Sequence, residues 1–162
     1  MSDPVYRIRV VGDPQPQGSK RAFPNPQNPK RPIIVDDNPK PLKLWRTAVA
    51  QACQAALADG TLERLPGVCR VRIEFVLPPV ASDPDRVLVE VMPDIDKLLR
   101  STLDGLKAGR AIVDDARIAE SWQRKRYAVG DEPTGAIITL VDLAASEKAA
   151  RSARRAARKA AL

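Results

Sequence analysis

From Val68 to Leu77 the chain alternates without a break. Cys69, Val71, Ile73, Phe75 and Leu77 fall on one side, and Arg70, Arg72 and Glu74 on the other. Successive strand residues point to opposite faces, so this run asks for a sheet with one apolar face and one charged face. Pro78-Pro79 ends it. Val5 to Val11 repeats the pattern, with Tyr6, Ile8 and Val10 opposite Arg7 and Arg9. Ile118 to Ala128, which carries Trp122, Arg124, Lys125, Arg126 and Tyr127, reads as another strand. Ala136 to Val141 follows the turn Pro133-Thr134-Gly135 as the last, and Val87 to Met92 reads as a short apolar strand.

Two segments have helical spacing instead. Leu42 to Ala58 is rich in Leu, Ala and Gln and stops at Asp59-Gly60. Ile95 to Lys107 places Leu98, Leu99, Thr102, Leu103 and Leu106 on one buried stripe, with Asp96, Arg100 and Asp104 stepping by four on its flank. Gly105 and Gly109 should loosen its end. The predicted fold is α+β: a mixed β-sheet with two main helices packed on one face, spanning residues 1–142. Residues 14–41 hold eight of the fifteen prolines together with Lys20, Arg21, Lys30, Arg31 and Lys40, and read as a long basic loop. Gln15 to Arg21 either approaches phosphates or is simply solvated. Residues 143–162 form a basic tail of Ala and Arg with no apolar stripe, expected as a frayed helix outside the core. It either adds sequence-independent affinity for phosphates or only solubilises.

At 162 residues this is one domain, and with 4% aromatics its core must rest on Val, Ile, Leu and Ala. No apolar run is long enough to span a bilayer, and the N-terminus lacks the apolar region of a signal peptide, so a cytoplasmic protein is expected. Cys53 and Cys69 lie in apolar patterns without a zinc spacing and read as buried free thiols. Histidine is absent, which removes Ser-His-Asp and Cys-His catalysis and His-ligated zinc. A net charge of +7 fits a polyanionic partner.

Against that charge, Asp94, Asp96, Asp114 and Asp115 fall within 22 residues. A basic protein that concentrates acid in one place is suited to hold a cation there. Mg²⁺ takes one or two carboxylates plus waters and phosphate oxygens, the ligand set of metal-assisted phosphodiester hydrolysis. Each pair also has a bland reading. Asp94 or Asp96 can be a helix N-cap, and Asp114-Asp115 an ordinary turn. Arg100 is either an i,i+4 partner of Asp96 or a cation that offsets charge on a scissile phosphate. Lys97 can serve the same end or contact the backbone of the polyanion. Asp104 is expected to pair with Lys107 or Arg100.

The run Asp-x-Asp-Lys-Leu-Leu-Arg-x-x-x-Asp-x-Leu, followed by Asp-Asp-Ala-Arg-Ile, resembles the RusA family of Holliday junction resolvases. The likeness is firm over Pro93 to Ile118 and looser at the first strand, the Gly-Ser-Lys-Arg loop and Arg124 to Tyr127. Pro-Asp-Ile-Asp-Lys is similar to the phage and prophage branch. The resemblance implies a homodimeric, Mg²⁺-dependent endonuclease, with Mn²⁺ as a substitute, that nicks four-way DNA junctions symmetrically. It implies Asp94, Asp96 and Asp115 as catalytic metal-binding carboxylates, with Asp114 beside them. Arg100 stands where the family often has lysine, which favours an electrostatic role over proton transfer. Lys20, Arg21, Lys97, Arg124, Lys125 and Arg126 are the candidate DNA contacts. The basic run that the family carries before its first Asp is replaced here by Val87-Leu88-Val89-Glu90-Val91-Met92. Two rivals stay open: another branched-DNA nuclease, and a non-catalytic DNA-binding protein whose aspartates only cap and pair.

Overall fold

The structure is a computed structural model that describes residues 3–18, 20–36 and 39–160. Its elements are β1 (Val5–Val11), β2 (Lys20–Phe23), β3 (Ile33–Asp36), α1 (Pro39–Ala58), β4 (Cys69–Leu77), α2 (Ile95–Ala108), a 3₁₀ turn (Asp115–Arg117), β5 (Ile118–Tyr127), β6 (Gly135–Asp142) and α3 (Ala144–Ala160). Four strands form a mixed sheet in the order β1-β6-β4-β5. β6 is antiparallel to both its neighbours, and β5 runs parallel to β4. A parallel pair needs a crossover, and α2 lies on that connection.

Alternation sets the two faces as the sequence requires. Ile8, Val10, Cys69, Val71, Ile73, Phe75, Ala136, Ile138 and Leu140 are buried on one face under Trp45, Val49 and Cys53 of α1 and Leu98 and Leu106 of α2. The helices join through polar contacts as well. The indole N–H of Trp45 donates to Thr102 Oγ1 at 3.1 Å, and Arg46 pairs with Asp104 at 2.5 Å. Asp104 thus answers to α1, and not to Lys107 or Arg100 as expected. Gly105 and Gly109 do not loosen α2. A Cβ at Gly105 would meet Val49 at 2.7 Å, and one at Gly109 would meet the Ala50 backbone at 2.8 Å, so they let the helices close. Both cysteines are buried and free, and burial pushes the Cys53 thiol up to about 12.

Two further expectations need correction. Residues 14–41 are not one loop, because β2 and β3 pair antiparallel within them and α1 already begins at Pro39. Val87 to Met92 forms no strand. Its one bridge joins Leu88 to Arg126, and Val87, Leu88, Val91 and Met92 stay exposed. The tail is helical from Ala144 to Ala160, and that helix buries no residue, while Leu143 just before it is buried. Among the described residues, no helix is long and apolar enough to cross a membrane.

The other face of the sheet carries no helix of the core. Across its open side Arg126 holds two acids. It bonds Glu74 at 2.7 Å and clasps Glu132 with two N–H groups, at 2.5 and 2.7 Å. The Arg126 hydrogen bonds lower the Glu132 carboxyl from 4.5 to about 2, against a smaller opposing push from burial. Because the folded value lies below the unfolded one, this group stabilises fully above about pH 4.5 and loses its contribution as pH falls through 2. Glu132→Gln is therefore expected to weaken the fold by about 1–3 kcal/mol at neutral pH. The gap to the parent should close on acidification. Urea unfolding at pH 7 and pH 3 measures both.

Candidate active site

The chain enters α2 through Pro93 and Asp94. Asp94 occupies the N-cap with φ −65° and ψ 135°, and its carbonyl accepts the first helical bond, from the Leu98 N–H at 3.1 Å. Its side chain caps nothing. It turns instead to Lys97, 2.8 Å away. That bond raises the Lys97 ammonium above its usual value, first through the hydrogen bond and then through charge attraction. Asp96 sits exposed in the first turn. Among the described residues neither Asp96 nor Arg100 makes a hydrogen bond or ion pair. The i,i+4 pair expected between them is not formed, and both point their charge at solvent.

Two devices fix this helix start. The backbone N–H of Gln17 donates to the Lys97 carbonyl at 3.0 Å, and the buried Ser101 hydroxyl donates to the Gln15 carbonyl at 2.6 Å. The Gln15–Gln17 stretch is thereby tied along α2. From the sheet, Lys125 reaches the carbonyls of Val91 and Pro93 at 2.8 and 2.9 Å and holds the segment just before Asp94. Sequence reading gave Lys125 a DNA contact. Its anchoring role depends on a contact across 32 residues that no local pattern shows.

The second acidic pair lies beyond the other end of α2. Asp114 caps the 3₁₀ turn, accepting from the Ala116 N–H at 3.1 Å, and bonds Lys107 at 2.5 Å. The Lys107 bond, then the Ala116 N–H, hold its carboxyl well below the usual carboxylate range. Asp115 follows, exposed. Asp96 is separated from Lys107 by eleven helical residues, on the order of 16 Å at 1.5 Å each. The two pairs therefore stand far apart within one chain. Among the described residues no three acidic or thiol side chains gather closely enough to hold a metal ion. Among the described residues of a single chain, the four aspartates, expected from their spacing to share one centre, do not form such a group.

The other candidate contacts divide. Arg124 bonds Glu74, and Arg126 bonds Glu74 and Glu132, so both are committed within the sheet. Lys20 and Arg21 lie on β2, and their side chains fall outside the described residues.

A family model described as endodeoxyribonuclease RusA matches residues 14–140. The chain belongs to the RusA family. It is an endodeoxyribonuclease of the kind that resolves Holliday junctions. A comparison with curated proteins finds no match. The stretch matched by the RusA model begins at the segment tied along α2 and ends within β6. Both acidic pairs, Arg100 and Lys125 lie inside it, whereas β1 and α3 lie outside.

Proposed function

We propose that the protein is a homodimeric, divalent-metal-dependent resolvase that nicks four-way DNA junctions in symmetric pairs. Asp94, Asp96 and Asp115 are its metal-binding carboxylates, with Asp114 beside them. The observation that carries the reading is the start of α2. An N-cap aspartate that caps nothing stands next to an exposed Asp96 and Arg100 without partners, on a helix start tied down from two sides. A purely structural role would have spent those charges on the helix or on each other.

The donor set suits a hard cation such as Mg²⁺ or Mn²⁺, since each pair offers carboxylate oxygens open to water and phosphate. When bound, such an ion supplies Lewis-acid polarisation of the phosphate and activation of a water. The chain's own groups do the rest. Arg100 stays charged at any working pH and offsets negative charge that builds on the phosphate. Lys97, Lys20 and Arg21 receive the DNA backbone, and Lys125 keeps Asp94 in place. The distance between the acidic pairs gives dimerisation a physical reason. A two-fold axis can set one protomer's Asp114-Asp115 against its partner's Asp94-Asp96 and so build two equivalent centres, matching the symmetry of the junction.

One pair of observations favours the rival reading. Asp94 and Asp114 each already hold a lysine, as structural ion pairs would. The test is cleavage of a labelled synthetic four-way junction beside linear duplex, with and without Mg²⁺. Paired nicks confined to the junction and dependent on the metal are expected. Tight binding with no cut under any divalent ion would leave a DNA-binding protein and sink the resolvase reading.

A further inference from the structure

The open face of the sheet is laid out in rows by the strand register. One row runs Arg7, Thr139, Arg72, Trp122 across all four strands. Most cations on this face are spent. Arg9 bonds Glu132 and the Pro133 carbonyl, Arg70 bonds Glu120, and Arg124 and Arg126 take both oxygens of Glu74. Arg7 and Arg72 are exposed and, among the described residues, have no acidic partner. The Arg72 guanidinium lies 4.1 Å from the centroid of Trp122, which is itself 42% exposed. A guanidinium stacked on a ring keeps its N–H edges free for bidentate contact with phosphate. The two arginines flank a depression of about 320 Å³ that Glu74, Ile137 and Thr139 complete. With strands about 4.8 Å apart, their backbones stand roughly 10 Å from each other.

We infer that this open face is a second DNA-contact surface, on which Arg7 and the Trp122-stacked Arg72 grip the phosphate backbone of a duplex arm leaving the junction. The inference rests on the family's DNA substrate and adds a site on the side of the sheet away from α1 and α2. Charge complementarity selects the occupant. The two unpaired cations suit a polyanion. A second copy docked about a two-fold axis would bring the same arginines toward one another, and like charges so placed repel. Arg7 belongs to a strand outside the stretch matched by the family model.

The test compares wild type, the double variant Arg7→Gln/Arg72→Gln, and Arg70→Gln as a control whose arginine is already paired. Affinity for a labelled four-way junction is measured in EDTA over a range of salt, and single-turnover cleavage in Mg²⁺. Each phosphate contact contributes about 0.9 to the slope of log K against log salt, so the double variant should lose about 2 from that slope. Its affinity should drop by roughly tenfold or more at low salt. Cleavage of the saturated junction should stay within about twofold, because the contact holds substrate and transition state alike. Arg70→Gln, which makes no phosphate contact but uncovers Glu120, should leave the slope unchanged and lower affinity by much less than the double variant. An unchanged slope in the double variant while wild type cuts overturns the surface alone, as does an equal loss in Arg70→Gln. A slope that depends on Arg7 and Arg72 in a wild type that never cuts supports the surface and overturns the nuclease reading. Weakened binding of polyglutamate with DNA affinity intact would hand the face to an acidic protein and overturn the inference.

Discussion

Asp96→Asn protein is expected to bind a four-way junction at least as well as wild type and to cut it on the order of 10²–10³-fold more slowly, the scale of losing one preorganised electrostatic group. The side chain makes no ion pair or hydrogen bond among the described residues, so its removal costs the fold little. It is exposed on the first turn of α2, where an amide tolerates solvent as well as a carboxylate. What changes is charge. A carboxylate near the DNA repels phosphate until a cation intervenes, and an asparagine does neither. Binding and cutting should therefore separate, which a structural aspartate would not produce. The geometry adds a sharper form of the experiment. Asp96→Asn and Asp115→Asn proteins should each cut only on that slow scale. Mixed so that protomers exchange, they should regain single nicks. A mixed dimer would unite the intact Asp96 of one chain with the intact Asp115 of the other at one of its two centres. Centres built within one chain would regain nothing. Gel analysis of nicked junction after mixing and re-equilibration decides between these arrangements.

How far the sequence carried the fold depended on whether a pattern was local. β1, β4 and β6 were legible because each alternates about a buried face, and α2 because its apolar positions recur at helical spacing. The β2–β3 hairpin was hidden by proline. Yet Pro24, Pro26, Pro29 and Pro32 all fall between the paired residues, and Pro39 and Pro41 lie in the first turn of α1, where no N–H is needed. Proline excluded strand only where strand was absent. Val87 to Met92 failed in the opposite sense. Its composition suits a strand, but composition cannot say whether a free edge lies beside it, and beside β5 the chain bridges only at Leu88. The acidic pairs were legible as residues. Their separation was not, because it depends on the Lys107–Asp114 contact that holds the second pair at the far end of α2. Nor could sequence show that Glu74, fifty residues away, takes up Arg124, while Arg72 keeps its charge for solvent.

Gly135→Ala is expected to cost the most stability of any single methyl added to this chain. Gly135 opens β6 at φ +146°, where L side chains are strained, and pairs Val11 on one side and Val76 on the other. A Cβ there would sit 1.9 Å from the Val10 carbonyl oxygen and 2.9 Å from its carbon. Both are backbone atoms of β1, so no rotamer can relieve the clash and the strands must part. Strain at such a position costs about 1–3 kcal/mol by itself, and breaking the ladder beside it brings the loss to about 3–5 kcal/mol. That is a large share of the roughly 5–15 kcal/mol that holds a domain folded. Gly130→Ala is the control. It too has positive φ, at 57°, but a Cβ there meets nothing within 4 Å, so only the backbone term of about 1–2 kcal/mol applies. Urea midpoints of the two variants should differ accordingly. Hydrogen exchange should show the cause, with amides of β1 losing protection in Gly135→Ala while those of β4, held by β5 as well as β6, keep theirs. Equal midpoints, or protection lost evenly across the sheet, would show that β1 yields to the methyl without leaving the ladder. The same strand carries Arg7, so a displaced β1 would also remove half of the proposed grip on DNA while leaving the start of α2 in place.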